Sequence, residues 1–176
     1  SEDDNSLMFY KPTTDVNVGD TYNGKEVTAV YRGFDTETYA DETYIPWYEY
    51  SEDIDTVTIV DTISPISTAY WFADFSYSTS FDLNNLDTSN LTDMSAMFNY
   101  AGSQATTFTI IGLNNWDTSS VTNMSYMFNY AGYSATTFEL DLSGWNTAAV
   151  TNMSSMFYYA GYSAEPFSLN LSNWST

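Results

Sequence analysis

The chain has no cysteine and no histidine among its 176 residues, and its only cationic side chains are Lys11, Lys25 and Arg32. Without thiols, neither a disulfide framework nor a thiolate metal site can form. With no histidine, and no lysine after position 25, the Ser-His and Cys-His pairs of nucleophilic catalysis cannot be assembled. Three basic residues near one end cannot neutralise a phosphate backbone, so nucleic acid is not expected as a partner. The formal charge of −20 repels an anionic membrane surface. No stretch approaches the roughly 18–20 apolar residues of a membrane span, and the first residues lack the basic and apolar regions of an export signal. Any such signal or anchor is expected outside these residues, and direct membrane insertion is not expected. The acidic, cysteine-free composition is compatible with an exported bacterial protein.

What the chain does have is aromatic mass, with 11 Phe, 16 Tyr and 5 Trp. That is enough apolar surface for a packed core despite the acidity. The length suits one core-bearing unit or a short repeat array with a cap. Residues 1–64 hold 15 acids against the three bases, whereas 65–176 hold eight acids and no base.

Internal repetition decides the architecture. Three copies align on a Met-Phe pair: "LDTSNLTDMSAMFNYAGSQATTFTIIGLNN" (86–115), "WDTSSVTNMSYMFNYAGYSATTFELDLSG" (116–144) and "WNTAAVTNMSSMFYYAGYSAEPFSLNLSN" (145–173). A degenerate copy precedes them, with Trp71 and Phe72 at the places of Met97 and Phe98, and Phe81 at that of Phe108. A period of this size means stacked units, each burying its apolar face against its neighbours. The expected fold is a β-rich α/β solenoid: about four units of 26–30 residues over 65–176, preceded by an N-terminal β-cap over 1–64.

Within a unit, Met124, Met127, Phe128 and Ala131 fall at i, i+3, i+4 and i+7, the spacing of one helical face. Asn123 suits an N-cap and Gly132 a C-terminal stop. Met94/Met97/Phe98 and Met153/Met156/Phe157 repeat the series, so a helix of about two turns is predicted in each unit. "FELDL" (138–142) then alternates like a strand with one buried face, and parallel strands are expected to stack unit on unit. Trp116, Trp145 and Trp174 are expected to plug the corner after each strand. In the first 64 residues, Asn23-Gly24 predicts a hairpin and "DTVTIVDTI" (55–63) a strand. "FSLNL" (167–171) is expected to be an open edge, through which end-to-end self-association is conceivable.

"WDTSSVTNMSYMF", with "LDTSNLTDMSAMF" and "WNTAAVTNMSSMF", resembles the repeat signature of the BspA family of leucine-rich-repeat-like bacterial surface proteins, found in Gram-positive bacteria and mycoplasmas. The resemblance covers residues from about 65 onward. It implies a right-handed, leucine-rich-repeat-like coil of parallel strands and short helices on the bacterial cell surface, and for some members adhesion to host matrix proteins or other cells. It brings no catalytic residue and no cofactor. The stretch "YAGYSATTF" stands where a shorter turn is usual, so each coil should be wider.

Catalysis would have to rest on paired carboxylates such as Glu139 and Asp141, with Asp117 in the same unit, as in glycoside hydrolysis. An active site in a uniform array should break the pattern, and no break is conspicuous. The columns Asp93/Asn123/Asn152 and Thr92/Thr122/Thr151 could present a lattice to ice or a glycan, but capping and backbone bonding explain them more simply. Repetition likewise explains the Asn-x-Ser/Thr sequences beginning at Asn90, Asn123, Asn152, Asn170 and Asn173. "YSEDIDT" (50–56) has calcium-type ligands without the spacing of a calcium loop. Tyrosine offers the stronger case for binding: Tyr100/Tyr130/Tyr159 form one column, Tyr133/Tyr162 a second, and Tyr126 stands alone. Stiff, half-exposed tyrosines suit a protein or sugar partner. The expected site is Tyr133 and Tyr162 with Glu139 and Asp141. The expected function is a non-catalytic adhesin for an extracellular protein or glycan surface, with a stalk or a glycan-binding module as alternatives.

Overall fold

The computed structural model describes residues 5–10, 17–19, 21–22, 25–26 and 38–174. Among the described residues there are eight strands: β1 (Ser6–Phe9), β2 (Thr21–Tyr22), β3 (Lys25–Glu26), β4 (Thr56–Ile59), β5 (Ser80–Asp82), β6 (Thr109–Ile111), β7 (Phe138–Asp141) and β8 (Phe167–Asn170). All the longer pairings are parallel, in a four-stranded sheet β1-β4-β5-β6 and a two-stranded sheet β7-β8. The first sheet joins strands from both sides of residue 64. β2 and β3 are antiparallel with Tyr22 opposite Lys25, which agrees with the predicted hairpin. Its Asn23-Gly24 turn lies outside the described residues.

The predicted helices are corrected. Among the described residues there is no α-helix, only 3-10 turns at Glu42–Tyr44, Tyr48–Tyr50 and Leu113–Asn115. Each Met-Phe segment is a run of overlapping turns. The N–H groups of Met97, Asn99 and Ala101 close back onto the carbonyls of Met94, Ala96 and Phe98. The N–H groups between them, on Met94, Ala96, Phe98 and Tyr100, donate at 2.8–3.0 Å to Asn123, Ser125, Met127 and Asn129 of the next unit. The following unit repeats this from Met124, Tyr126, Phe128 and Tyr130 to Asn152, Ser154, Met156 and Tyr158. Alternation requires every fourth residue to turn left-handed, as Ala96, Tyr100, Tyr126, Tyr130, Ser155 and Tyr159 do with φ of 53–60°. A two-turn helix would be almost all ends, with four N–H and four C=O groups unpaired. In the turn run, half of the donors bond along the stack instead.

The same apolar positions face inward by either route. Met94, Met97, Phe98, Met124, Met127, Phe128, Trp116, Trp145 and Met156 are buried, whereas Met153, Phe157 and Trp174 of the last unit are partly buried against the core. Their rings form columns through the stack: Phe98–Phe128–Phe157 at 5.4 and 5.7 Å, Phe108–Phe138–Phe167 at 6.1 and 5.3 Å, and Trp116–Trp145–Trp174 at 5.8 and 6.2 Å. The tryptophans close the corners as expected, with the Nε1–H of Trp145 and Trp174 donating to the carbonyls of Leu113 and Leu142. The degenerate unit aligns at Phe72, whose N–H donates to the Met97 carbonyl as that of Phe98 does to Met127. Phe81 is shifted: it lies opposite Ile110 rather than Phe108, although its ring still meets Phe108 at 5.9 Å.

One unit interrupts the stacking of strands. The period from 86 to 116 is one residue longer than the next, and Gly112 takes up the extra residue at φ 101°. A Cβ there would lie 2.8 Å from the backbone of Leu83 and Asn84, so only glycine fits this bulge. No ladder joins β6 to β7.

At the far end of the stack, Met153, Ser155, Phe157 and Tyr159 occupy the donor positions. Their N–H groups have no acceptor among the described residues. Amide exchange measured by NMR is therefore expected to be slow at 94, 96, 98, 100, 124, 126, 128 and 130, and about two orders of magnitude faster at 153, 155, 157 and 159. Equal protection in the last unit would contradict this bonding pattern.

Candidate functional site

Three columns of carboxylates or carboxamides hold corners of the units, each side chain accepting from the backbone two residues on, and the units 116–144 and 145–173 carry all three. Asp93, Asn123 and Asn152 accept from the N–H of Ser95, Ser125 and Ser154 at 2.8, 3.1 and 3.1 Å. Asp87, Asp117 and Asn146 do the same for Ser89, Ser119 and Ala148. The third column is Asp82, Asp141 and Asn170. These are Asx turns, in which the side chain supplies the acceptor that starts the bend. The hydroxyls of Thr122 and Thr151 donate to the carbonyls of Thr92 and Thr122. The polar columns thus have structural partners at nearly every level.

That assigns a structural role to one of the expected site residues. Asp141 Oδ1 accepts from the Ser143 N–H and hydroxyl and from Asn170 Nδ2, at 3.1, 2.7 and 3.0 Å. These bonds, the Ser143 hydroxyl first, hold its carboxyl below the usual range. Asp117 is lowered in the same way by Ser119, and Asp87 by Ser64 and then Ser89. A carboxylate held ionised in a turn is a poor general acid. Glu139 is exposed on β7, opposite Ser168 on β8. Both acids belong to the solvent face of the sheet.

Tyr133 and Tyr162, by contrast, stand in one aromatic cluster at the end of the turn runs. Tyr100 and Tyr130 stack at 4.7 Å and 7°, and Tyr133 and Tyr162 at 5.0 Å and 6°. Tyr130 joins the two stacks, lying 5.6 Å from Tyr133 and 5.0 Å from Tyr159. Tyr158 completes the group, edge-on to Tyr159 at 4.4 Å and to Tyr130 at 5.7 Å. The spacing comes from the backbone, because the Tyr100 N–H donates to Asn129 and that of Tyr130 to Tyr158, both at 2.8 Å. Tyr158 and Tyr162 are 52% and 62% exposed. Desolvation first, then the neighbouring phenols, pushes the Tyr130 hydroxyl above its ordinary value; for Tyr159 the hydrogen bond with Tyr158 leads.

Sequence reasoning missed Tyr158. The signal was present as a break in the pattern, since the copies "NYAG" at 99–102 and 129–132 become "YYAG" at 158–161. Tyr126 is exposed but lies at a different turn, in the column of Tyr70, Ala96 and Ser155. At the head of the Tyr100/Tyr130/Tyr159 column sits Asp74, whose N–H donates to Asn99. Desolvation raises its carboxyl, opposed by the hydrogen bond from the Tyr48 hydroxyl at 3.2 Å. Among the described residues, no group of three or more acids is arranged to hold a metal ion, and no helix is long and apolar enough to cross a membrane.

The repeats and the tyrosine cluster lie within residues 66–176, which match the family described as "Mycoplasma protein of unknown function, DUF285". The chain belongs to this family. The match begins one residue after the predicted start of the repeat region and covers three of the Asx turns in each full column. No curated protein and no solved structure matches the chain. Membership in the DUF285 family points to a bacterial, mycoplasma-type repeat protein, and its description assigns no activity.

Proposed function

We propose that this chain is a non-catalytic interaction module on a bacterial cell surface, an adhesin-like member of the DUF285 family that binds an extracellular protein. The observation that carries this reading is the tyrosine cluster: six rings in contact, held at fixed spacing by the backbone, with Tyr158 and Tyr162 more than half exposed. A contiguous, rigid and partly exposed aromatic patch is what recognition surfaces use, because such rings lose little entropy on binding. Of the three carboxylates nearest to a catalytic arrangement, Asp117 and Asp141 are engaged in turns.

The architecture we propose is a leucine-rich-repeat-like, right-handed solenoid of the BspA kind, capped by residues 1–64. The cap is supported by Trp47, whose Nε1–H donates to the Trp71 carbonyl at 2.7 Å, and by Phe9, stacked on Trp71 at 5.7 Å. A surface stalk is the second reading, favoured by the continuous bonding between units. A glycan-binding module is the third. Within the stacks, ring faces cover one another, so a sugar would meet hydroxyls and ring edges. End-to-end pairing of two β8 edges is the least supported partner, since an antiparallel pair would set the donor row at 153–159 against itself.

The test is binding of the intact chain to arrayed matrix proteins and glycans at physiological salt, beside the Tyr133→Ser/Tyr162→Ser variant. Saturable binding weakened tenfold or more in a variant with an unchanged circular dichroism spectrum is the expected result, the size expected of aromatic hot spots worth about 2 kcal/mol. Absence of binding to both panels by the folded chain would favour the stalk.

A further inference from the structure

We propose that the tyrosine cluster is an oxidative cross-linking site, where a one-electron oxidant of the haem-peroxidase class joins Tyr100 to Tyr130 and Tyr133 to Tyr162 by carbon–carbon bonds. The proposal does not depend on what the module binds. It begins from what an oxidant can reach. The chain has no cysteine. The repeat methionines Met94, Met97, Met124, Met127 and Met156 are buried, as are Trp47, Trp71, Trp116 and Trp145. Apart from Met153 and Trp174 of the last unit, which are partly buried, phenols are the oxidisable groups that the repeats present to solvent.

The geometry then selects partners. Two phenoxyl radicals combine through orbitals perpendicular to their rings, so face-to-face stacking is the direction from which the new bond forms. Tyr100 with Tyr130, and Tyr133 with Tyr162, are parallel within 7° at 4.7 and 5.0 Å. Hydrogen bonds from Tyr100 to Asn129 and from Ser163 to the Tyr133 carbonyl hold each pair in register. Tyr130 also contacts Tyr133, Tyr158 and Tyr159, so a radical formed on an exposed ring can pass inward before it is trapped.

The chemistry balances with hydrogen peroxide as the terminal oxidant. Each phenol gives up one electron and its hydroxyl proton. The two unpaired electrons become one bond between carbons ortho to the oxygens. The hydrogen on each of those carbons then moves to its oxygen and restores the phenol. Two electrons and two protons pass to one peroxide, which leaves as two waters. Each link ties one unit covalently to the next.

The test uses the intact chain, dilute, with a haem peroxidase and limiting hydrogen peroxide, read by intact mass, dityrosine fluorescence and peptide mapping. The expected product is a monomer lighter by two hydrogen atoms per link, with links at Tyr100–Tyr130 and Tyr133–Tyr162 and a higher urea midpoint. Tyr100→Phe should remove the first link and keep the second; Tyr133→Phe should do the reverse. Phenylalanine keeps the stack but has no phenol to oxidise. Tyr44 and Tyr77 are exposed without a ring partner among the described residues and should form no link within the chain. Links confined to separate molecules, links spread over Tyr44, Tyr50 and Tyr77, or the same two links in equal yield from urea-unfolded chain would each overturn the proposal.

Discussion

Trp145→Ala is expected to lower the stability of the chain by about 3–5 kcal/mol, the largest loss of any single side chain in the repeats. Trp145 is 1% exposed and is stacked between Trp116 at 5.8 Å and Trp174 at 6.2 Å, with Phe128 at 6.3 Å on another side. Truncation leaves a cavity that two stacked indoles cannot collapse into without leaving their own backbone positions. It also removes the shorter of two hydrogen bonds to the Leu113 carbonyl, at 2.7 Å, and leaves the one from the Trp116 N–H at 3.3 Å. Two comparisons separate these contributions. Trp145→Phe keeps a ring in the column and should cost less than Trp145→Ala. Trp174→Ala removes the equivalent ring from the partly buried last unit and should cost about half as much, because part of that surface is already wet. Urea unfolding of the three variants, followed by circular dichroism, gives the order. A loss for Trp174→Ala equal to that for Trp145→Ala would show that burial between units is not what sets the cost.

Gly102→Ala should cost about 3 kcal/mol or more, and the reason is space rather than backbone freedom. Gly102 has φ 61°, and a left-handed residue with a Cβ is strained by about 1–2 kcal/mol. Yet eight non-glycine residues among those described hold positive φ, Tyr100 next but one to Gly102 among them. The fold carries that strain repeatedly. What distinguishes Gly102, Gly132 and Gly161 is that a Cβ would overlap the ring of Phe108 or Phe138, the column that the strand buries against the turn run. The double variant Gly102→Ala/Phe108→Ala should therefore show strong coupling, its total loss falling short of the two single losses added together. Simple additivity in urea midpoints would place the whole effect in the backbone. Gly19, also left-handed at φ 91° but with open space around it, should cost only the backbone strain.

The contrast between Met94 and Gly112 marks how far the sequence can be read. The i, i+3, i+4, i+7 series from Met94 to Ala101 correctly marks the buried side chains, because a side chain's apolarity is its own property. It does not identify the local structure. A helix and a run of alternating turns bury nearly the same positions, and what separates them is where the intervening N–H groups find acceptors. For Ala96 that acceptor is Ser125, and for Tyr100 it is Asn129, in another unit and outside any local window. Gly112 fails for a related reason. The extra residue is visible in the period, but that it bulges against Leu83 and Asn84 and leaves β6 unpaired from β7 depends on backbone a unit away.

The candidate site divides along the same line. Tyr133 and Tyr162 were legible because a residue repeated at one period must lie over its copy, and they stack at 5.0 Å. Grouping them with Glu139 and Asp141 drew on nearness along the chain, whereas Asp141 is occupied by Ser143 and Asn170. Tyr158 appeared in the sequence as a lapse in the pattern and becomes part of the cluster because the turn before Tyr159 brings its ring against Tyr130.

By itself, then, the sequence determined the columns: which side chains recur, which are buried and which polar groups bend each corner, since these follow from identity at a constant spacing. Tertiary structure alone decided the path of the backbone between them, turn run rather than helix and broken rather than continuous sheet. In the first two full units every second N–H in that path is satisfied by a carbonyl 28 or 29 residues away, and such a partner exists only once the units have stacked.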